Sequence, residues 1–132
     1  MIYLDTNVLI NSILDGNKKK LCEKIFLDAI KNKKLFSSYP LVQETCYVLA
    51  KNKIENITIE DLSNLLIELS EDINLQEIYY RALNLSRKVG FTNINDCIHT
   101  AIAEAECEEL ITYDKGFKKI IPHTNLKITI LD

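Results

Sequence analysis

Short apolar segments alternate with longer amphipathic segments along the chain, and this alternation restricts the possible folds more than any other feature. The short segments, which have the composition of strands, are residues 2–4, 35–38, 73–75, 110–113 and 126–131. Apolar residues spaced by three and four predict helices at 7–14, 19–32, 40–51, 58–69, 77–89 and 93–107. Strands that alternate with helices usually pair in parallel, so the sequence predicts an α/β fold with a central parallel sheet flanked by helices.

Length and composition set the broad class of the protein. A chain of 132 residues, 47% of them hydrophobic, predicts one domain over residues 1–132 with its own core. No window approaches the roughly 18 apolar residues that a membrane span needs. Asp5 interrupts the first apolar run, and no basic residue precedes that run, so we expect no signal peptide and a cytoplasmic location.

The cysteines and histidines do not predict a zinc site. The four cysteines contain no C-x-x-C pair, and His99 and His123 lack metal-ligand spacing to another His or Cys. We expect the cysteines to be small apolar side chains of a protein in a reducing compartment.

Two predicted strands end at a carboxylate. Asp5 follows the first strand and is followed at once by Thr6 and Asn7, and Asp114 follows a strand near the end of the chain. Ligands of open parallel sheets bind outside the carboxyl ends of the strands, so both acids are placed for chemistry. Each also has a structural interpretation, because Asp5, Thr6 or Asp114 can cap the helix that follows it.

Two further acids lie on predicted helices. Glu44 lies between Leu41 and Val48, at the edge of the apolar face of its helix, where a solvent-facing residue would not fall. Asp96 lies in the first turn of a helix that begins at Asn93. The structural alternatives are an isolated surface acid for Glu44 and a capping box for Asp96.

Four acids gathered in one place would repel one another strongly. At a separation of about 4 Å, each pair costs about 4 kcal/mol at an effective dielectric constant of 20. Nothing nearby in the sequence provides an Arg or Lys partner for all four. A divalent cation resolves the repulsion, and a ligand set made only of oxygen selects Mg²⁺ or Mn²⁺ over softer metals. The candidate ligands are Asp5, Glu44, Asp96 and Asp114.

The net charge of −3 is unevenly distributed along the chain. Lysines are concentrated in residues 17–34 and again in 115–127, whereas acids dominate residues 55–109. Surface lysines are usually only solvated. A basic rim beside an acidic centre would nevertheless suit a polyanion held against bound metal. The candidates for phosphate contacts are Lys18, Lys19, Lys20, Lys115, Lys118 and Lys119.

Four separate blocks of the sequence resemble the PIN domain family. These are residues 3–9, Glu44 with Val48 and Leu49, Asp96 with Ala101 and Ala103, and residues 110–114 with Phe117. The resemblance covers essentially the whole chain, in the right order and at a length typical of VapC-like toxins. Cys97, where the family often has Ala, is a small departure.

The resemblance implies a PIN-like three-layer sandwich and a metal-dependent endoribonuclease that hydrolyses RNA phosphodiester bonds. The implied catalytic residues and ligands of Mg²⁺ or Mn²⁺ are Asp5, Glu44, Asp96 and Asp114. Thr6, Asn7 and Thr112 would orient these carboxylates through hydrogen bonds. Metal-activated water would then attack the phosphodiester in line, without a covalent enzyme intermediate. A VapC-like toxin also implies a homodimer and a small antitoxin protein whose tail occupies the acidic groove.

Several other interpretations remain open. A housekeeping RNA-processing PIN nuclease would have the same site, and a non-catalytic PIN-like module would use the fold to bind RNA or protein. The module would have no reason to keep four acids together. A receiver domain requires paired acids after the first strand, and a haloacid-dehalogenase-type phosphatase requires Asp in place of Asn7. Flap-type nucleases share the chemistry but need a longer chain and more acids.

Overall fold

Four short parallel strands form the centre of the protein, and the computed structural model describes all residues from 1 to 132. The strands pair in the order β2-β1-β3-β4, and every pair is parallel. Their bounds are β1 Ile2–Leu4, β2 Leu35–Phe36, β3 Glu109–Thr112 and β4 Lys127–Ile130. The predicted α/β fold with a central parallel sheet is therefore confirmed.

Six α-helices make up most of the remaining chain. They are α1 Thr6–Ile13, α2 Lys19–Lys31, α3 Tyr39–Lys51, α4 Asn56–Glu68, α5 Leu75–Val89 and α6 Ile94–Glu106. Three short 3-10 helices lie at Phe91–Asn93, Lys115–Lys119 and Ile121–His123. None of the helices combines the length and the hydropathy that a bilayer-spanning helix needs.

Helices cover both faces of the sheet. Consecutive residues of a strand point to opposite faces, and in β1 both Tyr3 and Leu4 are fully buried. Leu35 and Phe36 of β2 are buried in the same way. Strands buried on both faces are typical of parallel sheets between two helical layers, so the protein has the three-layer arrangement of a PIN-like sandwich.

The direction in which successive strands are added to the sheet reverses between β1 and β3. The chain leaves β1 for β2 on one side of it, then returns to form β3 on the other side and continues outward to β4. Tyr3 pairs with Leu110 and Leu4 with Ile111, so the two central strands end beside each other. In open parallel sheets, the crevice at such a switch point is where ligands bind.

Two local predictions were wrong. No strand forms at residues 73–75, because Asn74 caps α5 instead, accepting a hydrogen bond from the backbone of Glu77 at 3.2 Å. The helix predicted to begin at residue 58 also begins two residues earlier, since α4 starts at Asn56, without a side-chain cap.

Gly90 ends α5 and sets the entry into α6. Its φ of +104° lies in a region that L-residues rarely adopt, and its backbone N–H bonds to Ser86 at 2.7 Å. Gly90 therefore stops α5, as a glycine just past a helix end commonly does.

Candidate functional site

The four predicted acids are distributed over four elements that meet at the carboxyl end of the sheet. Asp5 directly follows β1 and is only 4% exposed, whereas Asp114 follows β3 and is exposed. Glu44 on α3 and Asp96 in the first turn of α6 are half-buried. The positions after β1 and β3 flank the switch point of the sheet.

Asp5 is held by hydrogen bonds to both carboxylate oxygens. Its Oδ1 accepts from the backbone N–H of Thr6 at 2.9 Å, so Asp5 does cap α1. Its Oδ2 accepts from Asn7 Nδ2 at 3.0 Å and from Thr112 Oγ1 at 2.7 Å. A helix cap uses only the first of these contacts. The second oxygen is oriented by two side chains that a cap does not require.

Thr112 connects the ends of the two central strands. Besides donating to Asp5, its hydroxyl accepts from Asn7 Nδ2 at 3.2 Å and from the backbone N–H of Asp114 at 2.9 Å. Asn7 Oδ1 in turn accepts from the backbone of Tyr113 at 2.9 Å. Asp114 Oδ1 caps the following 3-10 helix through Gly116 N at 2.7 Å. Asn7 and Thr112 therefore contact the carboxylate that the sequence predicted them to orient.

Glu44 is oriented from a different direction, by His99 of α6. Its Oε2 contacts His99 Nε2, and His99 Nδ1 lies 2.7 Å from the hydroxyl of Tyr3. Thr6 Oγ1 is buried without a hydrogen bond of ordinary geometry, although it lies close enough to Glu44 to help lower the pKa of that carboxyl. Thr6 is thus next to Glu44, while its backbone N–H binds Asp5.

Asp96 carries the least compensated charge in this region. Burial, followed by the negative charges of Asp5 and Asp114, raises the pKa of Asp96 from 3.8 to about 7, with a further contribution from Glu44. No side chain donates a hydrogen bond to its carboxylate. Because the other three acids all act on Asp96, the structure brings them within electrostatic reach of this one carboxylate.

The pKa values of Asp5, Glu44 and His99 follow from the balance between burial and neighbours. Burial raises the pKa of Asp5, and the charge of His99 and the hydrogen bond from Thr112 only partly offset it. For Glu44, the hydrogen bond and charge of His99 outweigh burial and lower the pKa. Burial would lower the pKa of His99, but Glu44 and Asp5 reverse the effect and raise it.

The predicted lysines divide into those beside the acids and those farther away. Lys18 Nζ lies 4.4 Å from the ring centroid of Tyr113, the residue before Asp114. Lys119 Nζ lies 3.3 Å from Asn93 Oδ1, just before α6. Lys19 pairs with Asp15 and, with Lys20, lines a groove along α2. Lys115 and Lys118 are exposed on the 3-10 helix after Asp114.

The residues fit a divalent cation by their chemistry. Their donors are hard oxygens, the negative charge is in excess, and a buried hydroxyl, Thr6 Oγ1, has no hydrogen bond of ordinary geometry. As the side chains stand, however, no three His, Cys, Asp or Glu residues approach closely enough to form a ligand cluster. The acids are neighbours, but they do not form a closed coordination shell.

Sequence reasoning missed the buried polar residues behind Glu44. His99, Tyr3 and Ser38 are at most 2% exposed, and they connect to Glu44 through hydrogen bonds. His99 was considered only as a zinc ligand. Its position three residues after Asp96 was the available signal, because residues at that spacing lie on one side of a helix. The four cysteines are unpaired, with Cys22 and Cys97 buried and Cys46 and Cys107 half-buried.

Comparison with known proteins adds a family match. A protein-family model described as PIN domain matches residues 2–121, which is most of the chain. No curated protein matches the sequence.

Proposed function

The chain belongs to the PIN domain family, and from this membership we propose that it is a Mg²⁺- or Mn²⁺-dependent endoribonuclease. PIN domains have a nuclease-type fold and typically use divalent metal ions. The observation that carries the proposal is the convergence of four acids from distant parts of the chain: burial, then the charges of Asp5 and Asp114 and to a smaller extent Glu44, raise the pKa of Asp96 to about 7. In a site with only a structural role, repulsion between these acids would lower stability without any benefit.

In this proposal, Asp5, Glu44, Asp96 and Asp114 hold the metal directly or through water. When bound, a divalent cation acidifies a water molecule and neutralises charge on the phosphodiester. Asp5 is the rigid member of the set, because both its oxygens are held by Thr6, Asn7 and Thr112. Asp114 is exposed and lies on the open side of the site, where a substrate can approach.

Substrate binding needs positive charge near these acids. Lys18 and Lys119 lie next to the segments that carry Asp114 and Asp96, so they are the best placed of the six predicted lysines to contact phosphates. Lys115 and Lys118 can contribute from the same rim. Lys19 and Lys20 face a separate groove and would at most bind RNA farther from the cleavage point.

A VapC-like toxin role, with a homodimer and a small antitoxin protein, is the finer part of the proposal. An exposed apolar stripe on α5 supports a protein partner, since Leu75, Tyr79 and Leu83 recur every four residues and are 44%, 43% and 42% exposed. Tyr79 also lines a cleft of about 430 Å³ that reaches Glu44 and His99. A partner covering the α5 stripe would therefore lie beside the acidic site.

The test is cleavage of total cellular RNA by the purified protein, with Mg²⁺ or with EDTA. We expect cleavage only with metal, and we expect Asp5→Asn and Asp96→Asn each to lower the rate by more than about 100-fold, because the metal contributes several kcal/mol of charge stabilisation. Glu106→Gln is the matched control, since Glu106 is an exposed acid on the same helix as Asp96.

Two outcomes would contradict the proposal. Unchanged cleavage by folded Asp5→Asn and Asp96→Asn proteins would show that these residues take no part in the reaction. RNA binding without cleavage by the wild-type protein, and without metal binding in calorimetry, would favour the non-catalytic module.

A further inference from the structure

A chain of buried polar contacts runs behind Glu44. Ser38 Oγ lies 3.0 Å from the hydroxyl of Tyr3, and that hydroxyl lies 2.7 Å from His99 Nδ1. The other nitrogen of His99, Nε2, contacts Glu44 Oε2. Ser38 also caps α3 by accepting from Leu41 N at 3.3 Å. We call Ser38, Tyr3 and His99 the polar relay.

The polar relay joins three of the elements that carry the acids. Tyr3 lies on β1, two residues before Asp5, and His99 lies on α6, one turn after Asp96. Ser38 lies at the start of α3, the helix that carries Glu44. The relative positions of the strand and both helices therefore depend on contacts that end at Glu44.

The hydrogen bonds of the polar relay can all be donated in one direction, from Ser38 towards Glu44. When the imidazole is neutral, the Leu41 N–H donates to Ser38, and Ser38 donates to Tyr3. Tyr3 then donates to His99 Nδ1, and the Nε2–H of His99 donates to Glu44. Every proton then has an acceptor. Histidines that orient carboxylates or metal ligands commonly have one nitrogen fixed in this way by a second partner.

Packing alone does not account for this arrangement. Tyr3 is fully buried and His99 is 2% exposed, and burial of polar groups costs free energy unless each is hydrogen-bonded. Apolar side chains of similar size would fill the same space without that requirement. The polar atoms are arranged towards Glu44, and at this end of the chain of contacts Glu44 and His99 both line the cleft.

We propose that His99 is a positioning residue, which the polar relay holds so that it fixes the Glu44 carboxylate for metal binding. This proposal rests on the proposed function, because it assigns Glu44 to a metal site. His99 does not bind the metal itself: one nitrogen contacts Tyr3 and the other contacts Glu44. Loss of its Nε2 contact should free the Glu44 side chain and weaken metal binding without unfolding the protein.

Two substitutions separate the two nitrogens of His99. His99→Gln places an amide near the former Nε2 and can still donate to Glu44. His99→Asn places an amide near the former Nδ1 and can contact Tyr3 but not Glu44. We expect Mn²⁺ affinity, measured by titration calorimetry, to fall by about 10- to 100-fold in His99→Asn and by clearly less in His99→Gln. A role in packing alone would not favour Gln, the longer amide, over Asn.

Two further variants complete the experiment. Tyr3→Phe keeps the ring but removes the hydroxyl that orients His99, so it should weaken Mn²⁺ binding less than His99→Asn does. It also serves as the deciding variant if His99→Asn does not fold. His123→Asn changes the protein's other histidine, which is exposed, and should leave Mn²⁺ affinity unchanged. Circular dichroism establishes that each variant is folded.

The outcomes distinguish this inference from the proposed function. If the wild-type protein binds Mn²⁺ and folded His99→Asn binds it equally well, the positioning role is wrong and the nuclease assignment stands. If His99→Asn does not fold and Tyr3→Phe binds Mn²⁺ as tightly as wild type, the positioning role is also wrong. If the wild-type protein binds no Mn²⁺, both proposals fail.

Discussion

Asp96 is the residue whose surroundings least favour its own charge. Its pKa of about 7 in the folded protein lies above the ordinary value of 3.8, so the folded state binds the proton more tightly than the unfolded chain does. The resulting destabilisation is absent below pH 3.8, grows as the pH rises, and is complete above pH 7. Metal-free protein should therefore lose stability across this range.

Asp96→Asn should relieve that cost. After allowance for solvent screening of this half-buried group, we expect a gain of about 1–2 kcal/mol at pH 8, or a few degrees in Tm, and a smaller gain at pH 5. Thermal unfolding in EDTA at both pH values measures the difference. A gain that is equal at the two pH values would mean that charge repulsion is not its source.

Thr112 is the residue that connects Asp5 to the segment carrying Asp114. Thr112→Val preserves shape but removes one donated and two accepted hydrogen bonds. We expect a loss of about 1–3 kcal/mol in the free energy of unfolding and a fall of about 10- to 100-fold in RNA cleavage. Denaturant titration and cleavage assays check the two effects.

Ser86→Ala is the control for Thr112→Val. Ser86 is also fully buried, but its hydroxyl bonds to the backbone of Ala82 within α5, at 2.8 Å. It should alter stability without altering cleavage by folded protein. Equal losses of cleavage in the two variants would show that Thr112 has no specific role in cleavage.

At the residue level, the sequence predicted the positions of the acids better than their partners. Asp5 and Asp114 were identifiable because each follows a strand, and Asn7 and Thr112 because of the family resemblance. The contacts of His99 with Tyr3 and Glu44 span 96 and 55 residues, respectively. Such pairings depend on how helices and strands pack together, which local spacing does not specify.

At the level of secondary-structure elements, helix ends position the acid-bearing segments. Gly90 lies between α5 and α6, with φ +104° and ψ 140°, a backbone region that essentially only glycine occupies. A Cβ at this position would meet Asn93 Nδ2 at 3.5 Å, which is an ordinary contact. Substitution of Gly90 is therefore restricted by the backbone conformation and not by lack of space for a side chain.

Gly90→Ala should destabilise the protein by about 1–3 kcal/mol through that backbone strain. Lys53, just after α3, provides the opposite case, because it has a left-handed φ of 58° that glycine adopts more readily. Lys53→Gly should leave stability unchanged or raise it by up to about 1 kcal/mol. Denaturant unfolding of both variants tests the pair, and a Gly90→Ala protein as stable as wild type would contradict the expectation.

Most helices and strands were predictable because their apolar spacing is regular. The errors occurred where short segments carry two signals. Residues 73–75 are apolar enough for a strand, but Asn74 caps a helix. Thr58 with Asp61 resembles a helix start, although the helix already begins at Asn56.

At the level of the whole molecule, the alternation of strands and helices predicted the parallel sheet but not its order. The order β2-β1-β3-β4 depends on pairings between residues about 107 positions apart, such as Ile2 with Glu109. Local patterns do not determine which strands become neighbours. The sequence could therefore predict that Asp5 and Asp114 lie close together only if β1 and β3 were neighbours, as they are in the structure.

The α5 stripe leads to a prediction about assembly. If it forms the interface of the proposed homodimer, Leu83→Glu should convert a dimer to a folded monomer by placing charge in an apolar contact. Light scattering coupled to size exclusion measures the mass of each protein. A wild-type protein that is monomeric at high concentration would refute the homodimer, and an unchanged dimer in Leu83→Glu would place its interface elsewhere.

The placement of β1 between β2 and β3 has a consequence for the timing of folding. β1 is synthesised long before its neighbour β3, because 107 residues separate Asp5 from its partner Thr112. Until β3 is made, Asp5 lacks Thr112, and the pocket lacks Asp114. A nascent chain therefore cannot assemble the four acids into one site until the segment that carries Thr112 and Asp114 has been made and has joined the sheet.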